Sequence, residues 1–526
     1  MNARRILVSL LVAAGALAAP CQDTDAVVRD KVTQAVMKVY DDHLAENPND
    51  YNVLFARAHQ HYYDGDYTAA LTDVNQAMML TPKTDKELRF DEYILRARIS
   101  DARKDYIGEL ADLKLAQELQ PKSLPCTDMI AKANLKAGNL DAAEKAFKTI
   151  LRAESMNYDA MYGLAQVEQA RGNAKAAEAH VTKAVTLFRV EPQVYVNRAD
   201  IFARQGNIRA AVEDLLAGMA VGNGGNAAQC LFELSDKDYD GVMRSLGELA
   251  DVNATDGGTY RYLGANIAMD HCRYSQALAE LERIQRGHLY GGAGVDYSIA
   301  KCCLELARFD EAADHAERAI ARDALQPDYY VVKALAQYYA GEGGHADAAM
   351  ETLKHCSRIA PQFVPMLLTK AMLLESQGND NEALGYLNAA VANEPDNADA
   401  LMARALVLRR LGHDKLAVRD LNTIVLQSDD AYRMKGFALN ELGRDNEAFA
   451  WLNQLTSSRQ PGGEDLYYAA LFMATRGDGY KAMEYMRQAI AGGFDSQYRL
   501  YHDVLSPLNF KAMRSEPGFD QLGIKP

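Results

Sequence analysis

A single tryptophan, Trp451, stands in a sequence of 526 residues, and only 14 prolines are spread along it. So little proline excludes extended polyproline linkers, and 48% hydrophobic residues exclude a largely disordered chain. No Walker sequence, H-E-x-x-H, G-x-S-x-G or dinucleotide fingerprint occurs, so phosphate-loop, zinc-protease, hydrolase and Rossmann chemistry have no signature. Seven cysteines contain no C-x-x-C pair, which removes the usual zinc-knuckle and redox spacings. Positive charge is also short: 57 Lys and Arg face 72 Asp and Glu, a net −15 that repels phosphate backbones and anionic lipid surfaces. No stretch sustains two-residue alternation, so sheet is not expected.

The one long apolar run lies at the start. In "MNARRILVSLLVAAGALAAPCQ", Arg4 and Arg5 precede Ile6 to Ala19, a run too short for a comfortable membrane span. Ala16-Leu17-Ala18 offers small residues for cleavage, and Pro20 would hinder a cut after Ala19, so the cut is placed after Ala18. The segment resembles a bacterial secretory signal peptide, and its loss would take the net charge from −15 to −17 with Arg4 and Arg5. Cys21 then stands near the new end as a candidate for lipidation, although Ala18 and Pro20 match the lipobox poorly. The other cysteines are Cys126, Cys230, Cys272, Cys302, Cys303 and Cys356. They read as buried thiols filling small core positions, with a bridge from Cys272 to Cys302 or Cys303 as the alternative. His271 beside Cys272 offers only a faint zinc possibility, and no metal or cofactor is expected.

Most of the chain repeats. Gly138, Gly172 and Gly206 are 34 residues apart, as are Ala143, Ala177 and Ala211. Gly378 and Gly412, Gly443 and Gly477, and the series Ala349, Ala383 and Ala417 keep the same interval of 34. Each period holds two helical patterns separated by the glycine, whose left-handed backbone ends the first helix. Pro82, Pro121, Pro361 and Pro395 follow second helices and stop them. Small residues sit where two antiparallel helices approach: Ala58, Ala97, Ala165, Ala199, Ala371 and Ala405 in first helices, Ala70, Ala143, Ala177, Ala211, Ala383 and Ala417 opening second ones. Asn75 and Asn388 recur at the same place in the period, and no packing role accounts for them.

The small residue of helix one, the turn Gly65-Asp66-Tyr67, the alanine opening helix two, Val74 with Ala77, and the closing Pro82 resemble the tetratricopeptide repeat (TPR) family. That resemblance implies an all-α fold, a right-handed α-solenoid of about thirteen helix-turn-helix units with N- and C-terminal capping helices. The expected layout is a signal peptide over 1–18, a capping helix over 19–50, one array over 51–223, an irregular unit and possible kink over 224–257, a second array over 258–491, and a cap over 492–526. The irregular stretch begins at "GNGGN", Gly222 to Asn226, and its unit lacks the turn glycine.

Arg57, Arg96, Arg198 and Arg404 each stand sixteen residues before an aspartate: Asp73, Asp112, Asp214 and Asp420. Repetition at a fixed offset predicts structural ion pairs across the hairpin instead of acid–base chemistry. Lys370 and Lys435 replace the arginine where the partner position is Tyr386 or Trp451.

In the TPR family the first helices line a concave face. The positions that resemblance points inward carry Tyr62, Tyr63, Tyr162, Tyr262, Tyr297, Tyr338, Tyr339 and Tyr467, which form a candidate peptide-binding groove. The same tyrosines would equally fill contacts between successive first helices. The lysine–asparagine clamp that some family members use for chaperone tails is absent. The expected function is an exported scaffold or adaptor in the cell envelope, periplasmic or associated with the outer membrane, that binds proteins or peptides. It would perform no chemistry, bind no nucleic acid and meet a membrane only through a lipid on Cys21. A glycan-binding surface lipoprotein is the alternative, though such proteins stack sugars on tryptophans this chain lacks.

Overall fold

The structure is a computed structural model that describes residues 36–287, 292–340, 346–427, 432–457, 461–499 and 511–522. The cleavage site after Ala18, Cys21 and the first part of the capping helix lie outside the described residues. Among the described residues every regular element is helical, and no helix is long and apolar enough to cross a membrane. From Tyr51–Tyr63 to Gly479–Ala491, twenty-six helices follow one another, and twelve consecutive pairs of them pack as antiparallel hairpins. The chain is an all-α helical-repeat solenoid.

The first hairpin shows how local sequence builds the unit. Asp50 caps Tyr51–Tyr63 by accepting hydrogen bonds from the amides of Asn52 and Val53. At the far end Gly65 adopts φ +79°, and the amides of Gly65 and Asp66 donate to the carbonyls of Tyr62 and His61 at 3.2 and 2.9 Å. That double closure satisfies carbonyls the helix leaves open and reverses the chain within three residues. Asp66 then accepts from the Ala69 amide and starts Tyr67–Leu80. Lys104, Cys272 and Ala307 hold the same left-handed position in other hairpins, at φ 60°, 55° and 57°.

Between the two helices the small residues are fully covered. Ala58, Ala70, Ala97, Ala143, Ala165, Ala177, Ala211, Ala383, Ala405 and Ala417 are all 0% exposed. Larger side chains fill the spaces between hairpins. Phe147 packs where Gly163 in the next first helix leaves room: a Cβ on Gly163 would lie 2.3 Å from the Phe147 ring. Within a single hairpin, Gly436 of Tyr432–Glu441 makes a similar allowance for Trp451 of Asp445–Thr456, whose ring would be 2.1 Å from an added Cβ.

The chain divides into two compact units at residues 245 and 246, within the helix Tyr239–Val252. In the N-terminal unit, helix 36–46 packs Leu44 against Leu54 and Ala77 of the first hairpin. Five complete hairpins follow, then the helix Ala227–Lys237. There the turn glycine is replaced by one residue, Asp238, whose carboxylate accepts from the Gly241 amide at 2.9 Å. The C-terminal unit contains seven hairpins, from Gly257–Asp270 with Tyr274–Gly287 to Gly463–Thr475 with Gly479–Ala491. The short helix Lys511–Arg514 covers this last hairpin and buries Met513 completely.

The second hairpin of the N-terminal unit, Lys86–Ala102 with Tyr106–Leu119, buries two glutamates besides Asp112. Glu92 is bonded by the Thr81 hydroxyl, and Glu109 is 4% exposed with one oxygen unpartnered. Burial, then the charge of Asp101, pushes Glu109 up to about 7, and burial also raises Glu92. Because the folded value lies above the ordinary one near 4.5, Glu109 favours the fold most below pH 4.5, and this contribution is lost as pH rises through about 7. Heating the protein at pH 5 and pH 8 should therefore show this hairpin melting lower at pH 8. Glu109→Gln should flatten the difference; an unchanged pH slope in that variant would contradict the assignment.

Candidate functional site

Two sets of side chains run along the repeats, one of ion pairs and one of aromatic residues. In every case the arginine fork lies along the carboxylate. Arg57 Nε and Nη2 donate to Asp73 at 2.7 and 2.8 Å, and Arg96 to Asp112 at 2.8 and 2.6 Å. Arg198 reaches Asp214 at 2.7 and 2.6 Å, and Arg404 reaches Asp420 with both bonds at 2.7 Å. The four aspartates are 4–5% exposed, so each buried carboxylate has its counter-charge at hand.

The third nitrogen has its own use. Arg96 Nη1 donates to Asn75 Oδ1 at 2.8 Å, and Arg404 Nη1 to Asn388 Oδ1 at 3.3 Å. Both asparagines belong to the second helix of the preceding hairpin, so one guanidinium ties its own hairpin together and fastens it to its predecessor. Asp41, in the helix 36–46, does this for Arg57 at 2.7 Å. Lys370 departs from the rule. It is buried, donates to Ser357 Oγ at 2.5 Å and lies 5.3 Å from the centre of the Tyr386 ring. These groups fix register and offer no reacting centre.

The expected groove tyrosines separate into two kinds. Tyr162, Tyr262, Tyr297 and Tyr339 join successive first helices. The Tyr162 hydroxyl donates to Asp200 at 2.8 Å, the Tyr262 and Ser298 hydroxyls are 3.2 Å apart, and the Tyr297 and Tyr329 rings are 4.9 Å apart. Tyr339 stacks on Phe309 at 5.5 Å and reaches Met372 Sδ at 4.0 Å. Tyr262 and Tyr467 are buried, which corrects the expectation that they face an open groove: the next first helix covers Tyr262, and Phe494, beyond the last hairpin, covers Tyr467. Tyr338 sits edge-on to Tyr339, and Tyr62 packs partly into the first hairpin's core. Tyr63 alone of the eight is widely open, at 72% exposure. With His59 and Phe55 it makes an aromatic row along Tyr51–Tyr63, rings 6.2 and 4.8 Å apart. Burial, then the Arg98 charge, holds His59 below its usual range.

In the C-terminal unit the first-helix layer carries a feature that repeat logic does not contain. The stretch Gly492–Arg499, just after the last hairpin, lies across the ends of earlier helices in the same unit. The Asp495 amide donates to the Cys272 carbonyl at 3.1 Å, and the Asp495 carboxylate accepts from the amides of Tyr274 and Ser275 at 2.6 and 2.9 Å. It thereby caps the helix Tyr274–Gly287, whose own cap position holds Arg273, a residue with no acceptor. Phe494 stacks on Tyr467 at 4.6 Å, and Tyr498 meets Tyr339 edge-on at 5.2 Å. The Ser496 hydroxyl donates to Glu305 at 2.5 Å, while Arg499 bonds Glu464 and lies 3.7 Å from Glu305. Arginine also holds the cap position at Arg308 and Arg444, so nothing in the repeat pattern marked Arg273 for a distant replacement.

The six described cysteines are free thiols, and all but Cys230 are buried. Burial pushes Cys303 and Cys356 up to about 11 and Cys272 up to about 12, so none carries an activated thiolate. Apart from Cys21, native protein at pH 8 should react with dithionitrobenzoate at Cys230 alone, and urea-unfolded protein at all six. Rapid native labelling of Cys302 or Cys303, located by mass spectrometry, would contradict this. Trp451, the residue a sugar platform would need, is 4% exposed against Phe437 and Phe472.

Paired helices with small interface residues, glycine turns and repeated stacking define a helical-hairpin repeat protein. The tetratricopeptide-repeat family model matches residues 129–192, 262–328 and 368–431, and the helical hairpins in those stretches are tetratricopeptide repeats. It is 39% identical over 88 residues to the tetratricopeptide repeat and J domain-containing co-chaperone DNJ1 of Fusarium oxysporum, a match over 16% of this chain and 17% of that relative's length. Among solved structures it is similar to TTC0263, a thermophilic TPR protein of Thermus thermophilus, at 22% identity over 35% of this chain and 98% of that one, TM-score 0.31. It is also similar to a chain of the Naa15/Naa10 complex bound to HypK, at 15% identity over 94% and 93%, TM-score 0.32. A third is YrrB, described as a TPR protein with an unusual peptide-binding site, at 16% identity over 43% and 97%, TM-score 0.26.

Proposed function

We propose that this protein is an exported scaffold or adaptor that binds proteins or peptides on its first-helix faces and performs no chemistry of its own. The observation that carries the reading is the docking of Gly492–Arg499 on the C-terminal unit, because that surface already receives a stretch of chain, irregular to Ser496 and helical from 497, through side chains of several hairpins. The recurring residues are consumed by architecture: alanines in helix contacts, arginines and aspartates in register pairs, and half of the eight candidate tyrosines between neighbouring first helices. Variation is left to the faces, as at Phe55, His59 and Tyr63 of the first hairpin.

The export half of the proposal rests on Arg4, Arg5, the apolar run that follows and Ala16-Leu17-Ala18. Intact mass and fractionation test it: the mature chain should begin at Ala19 and leave the cytoplasm. Crosslinking in intact cells, with mass spectrometry of the adducts, tests the binding half. Reproducible protein partners, with crosslinks concentrated on first helices, are the expected result. Crosslinks confined to second helices, or no repeatable partner, would overturn it.

A further inference from the structure

The contacts of Gly492–Arg499 describe a receptor as well as a strap. Its floor is the turn Cys272–Tyr274, the end of the helix Ala293–Glu305, the end of Pro327–Tyr339 and the start of Gly463–Thr475. Phe494 belongs to the last hairpin, since its amide closes that helix on Ala489 at 3.0 Å and its ring is 1% exposed. Beyond it, Asp495 to Arg499 are held mainly by side chains. Gly493, at φ +98°, lies so close to Arg273 that an added Cβ would meet its Nε at 2.5 Å, so the path past that turn is built for glycine.

Each contact specifies a chemistry. Two open amides at a helix start take a carboxylate. Glu305 and Glu464 take a guanidinium: burial would raise Glu464, yet the charges of Arg499 and Arg433 hold it below the usual carboxylate range. Arg433 lies 2.8 Å from Glu464, so one counter-charge stays when Arg499 leaves. Tyr339 supplies a flat apolar surface for an aromatic ring.

Resting on the scaffold reading above, we propose that this surface is a peptide-docking site, occupied in the resting protein by its own Asp495–Arg499. Its external ligand is a protein segment with an acidic residue followed three and four places later by an aromatic residue and arginine, the pattern of Asp495, Tyr498 and Arg499. The resident segment competes with that ligand and lowers its apparent affinity by the fraction of time the site is closed.

The test uses the full chain and a fluorescein-labelled peptide FDSQYR, followed by anisotropy. Asp495→Ala/Arg499→Ala should bind the peptide at least tenfold more tightly than the unaltered protein, and adding Glu305→Gln should remove that gain. Equal, weak binding in both proteins would overturn the proposal. Hydrogen exchange on the unaltered protein decides even if the double variant fails to fold. The amides of Tyr274 and Ser275 should exchange at least a hundredfold faster than those inside Val364–Ser376, because release of Asp495 exposes them without unfolding the unit. Exchange at the rate of that core would make the segment a permanent strut and end the idea. If the peptide fails to bind while cellular partners still crosslink to first helices, the docking proposal falls and the scaffold reading survives.

Discussion

Phe147→Ala is expected to cost about 3–5 kcal/mol, the range for removing a large aromatic side chain from a close-packed core. Phe147 is 0% exposed and contacts a cluster that includes Ala131, Ile150, Leu164 and Val167. Collapse cannot refill the space cheaply, because the helix on one side already comes close at Gly163. Urea unfolding gives the total loss, and hydrogen exchange in Leu140–Ala153 and Tyr158–Ala170 should show where it falls. In a linear array neighbours couple directly, so loss in these two hairpins should exceed loss in the C-terminal unit. The reciprocal change, Gly163→Ala, should cost about 1–3 kcal/mol by overpacking. Combined with Phe147→Leu it should cost less than the sum of the two, since the smaller residue gives up the space the methyl needs. Strict additivity would show that the two residues do not share one space.

Asp214→Ala is expected to cost about 2–3 kcal/mol. Removing one member of a fully buried pair costs about 3–5 kcal/mol, and the figure is reduced here because the Arg198 side chain is 21% exposed and keeps some water. Arg198→Met/Asp214→Leu should recover most of the loss, because two apolar chains remove the desolvation problem along with the bond. That outcome would show the pair to be a device for register more than for stability. A single substitution costing under about 0.5 kcal/mol would place the pair with ordinary surface bridges.

The hairpins were legible in the sequence because each is a local object. A glycine that permits a left-handed turn, alanines at the crossing and a closing proline act within about 34 residues, and the structure holds those residues in those roles. The sixteen-residue offset from arginine to aspartate was legible for the same reason: both ends lie in one hairpin. Asn75 and Asn388 were not, since their partner is the guanidinium of the next hairpin. The sequence separation there varies with the connection, 21 residues to Arg96 and 16 to Arg404, while the distance in space stays within hydrogen-bond reach. Tyrosine positions were located, but whether a ring faces solvent or the next first helix depends on how closely successive hairpins stack. Tyr63, at 72% exposure, and Tyr262, at 8% with its hydroxyl beside Ser298, answer that question in opposite ways.

Composition and a short period thus settled that the chain forms paired helices and which alanines, glycines and Arg–Asp pairs hold many of them together, because those interactions close within one repeat. Tertiary structure alone decided which faces remain available. Seven hairpins bring Asp495 back to the amides of Tyr274 and Ser275, more than two hundred residues earlier in the chain, separations of 221 and 220. No pattern in one repeat carries that contact, since it depends on small rotations between neighbouring hairpins summed over the whole unit.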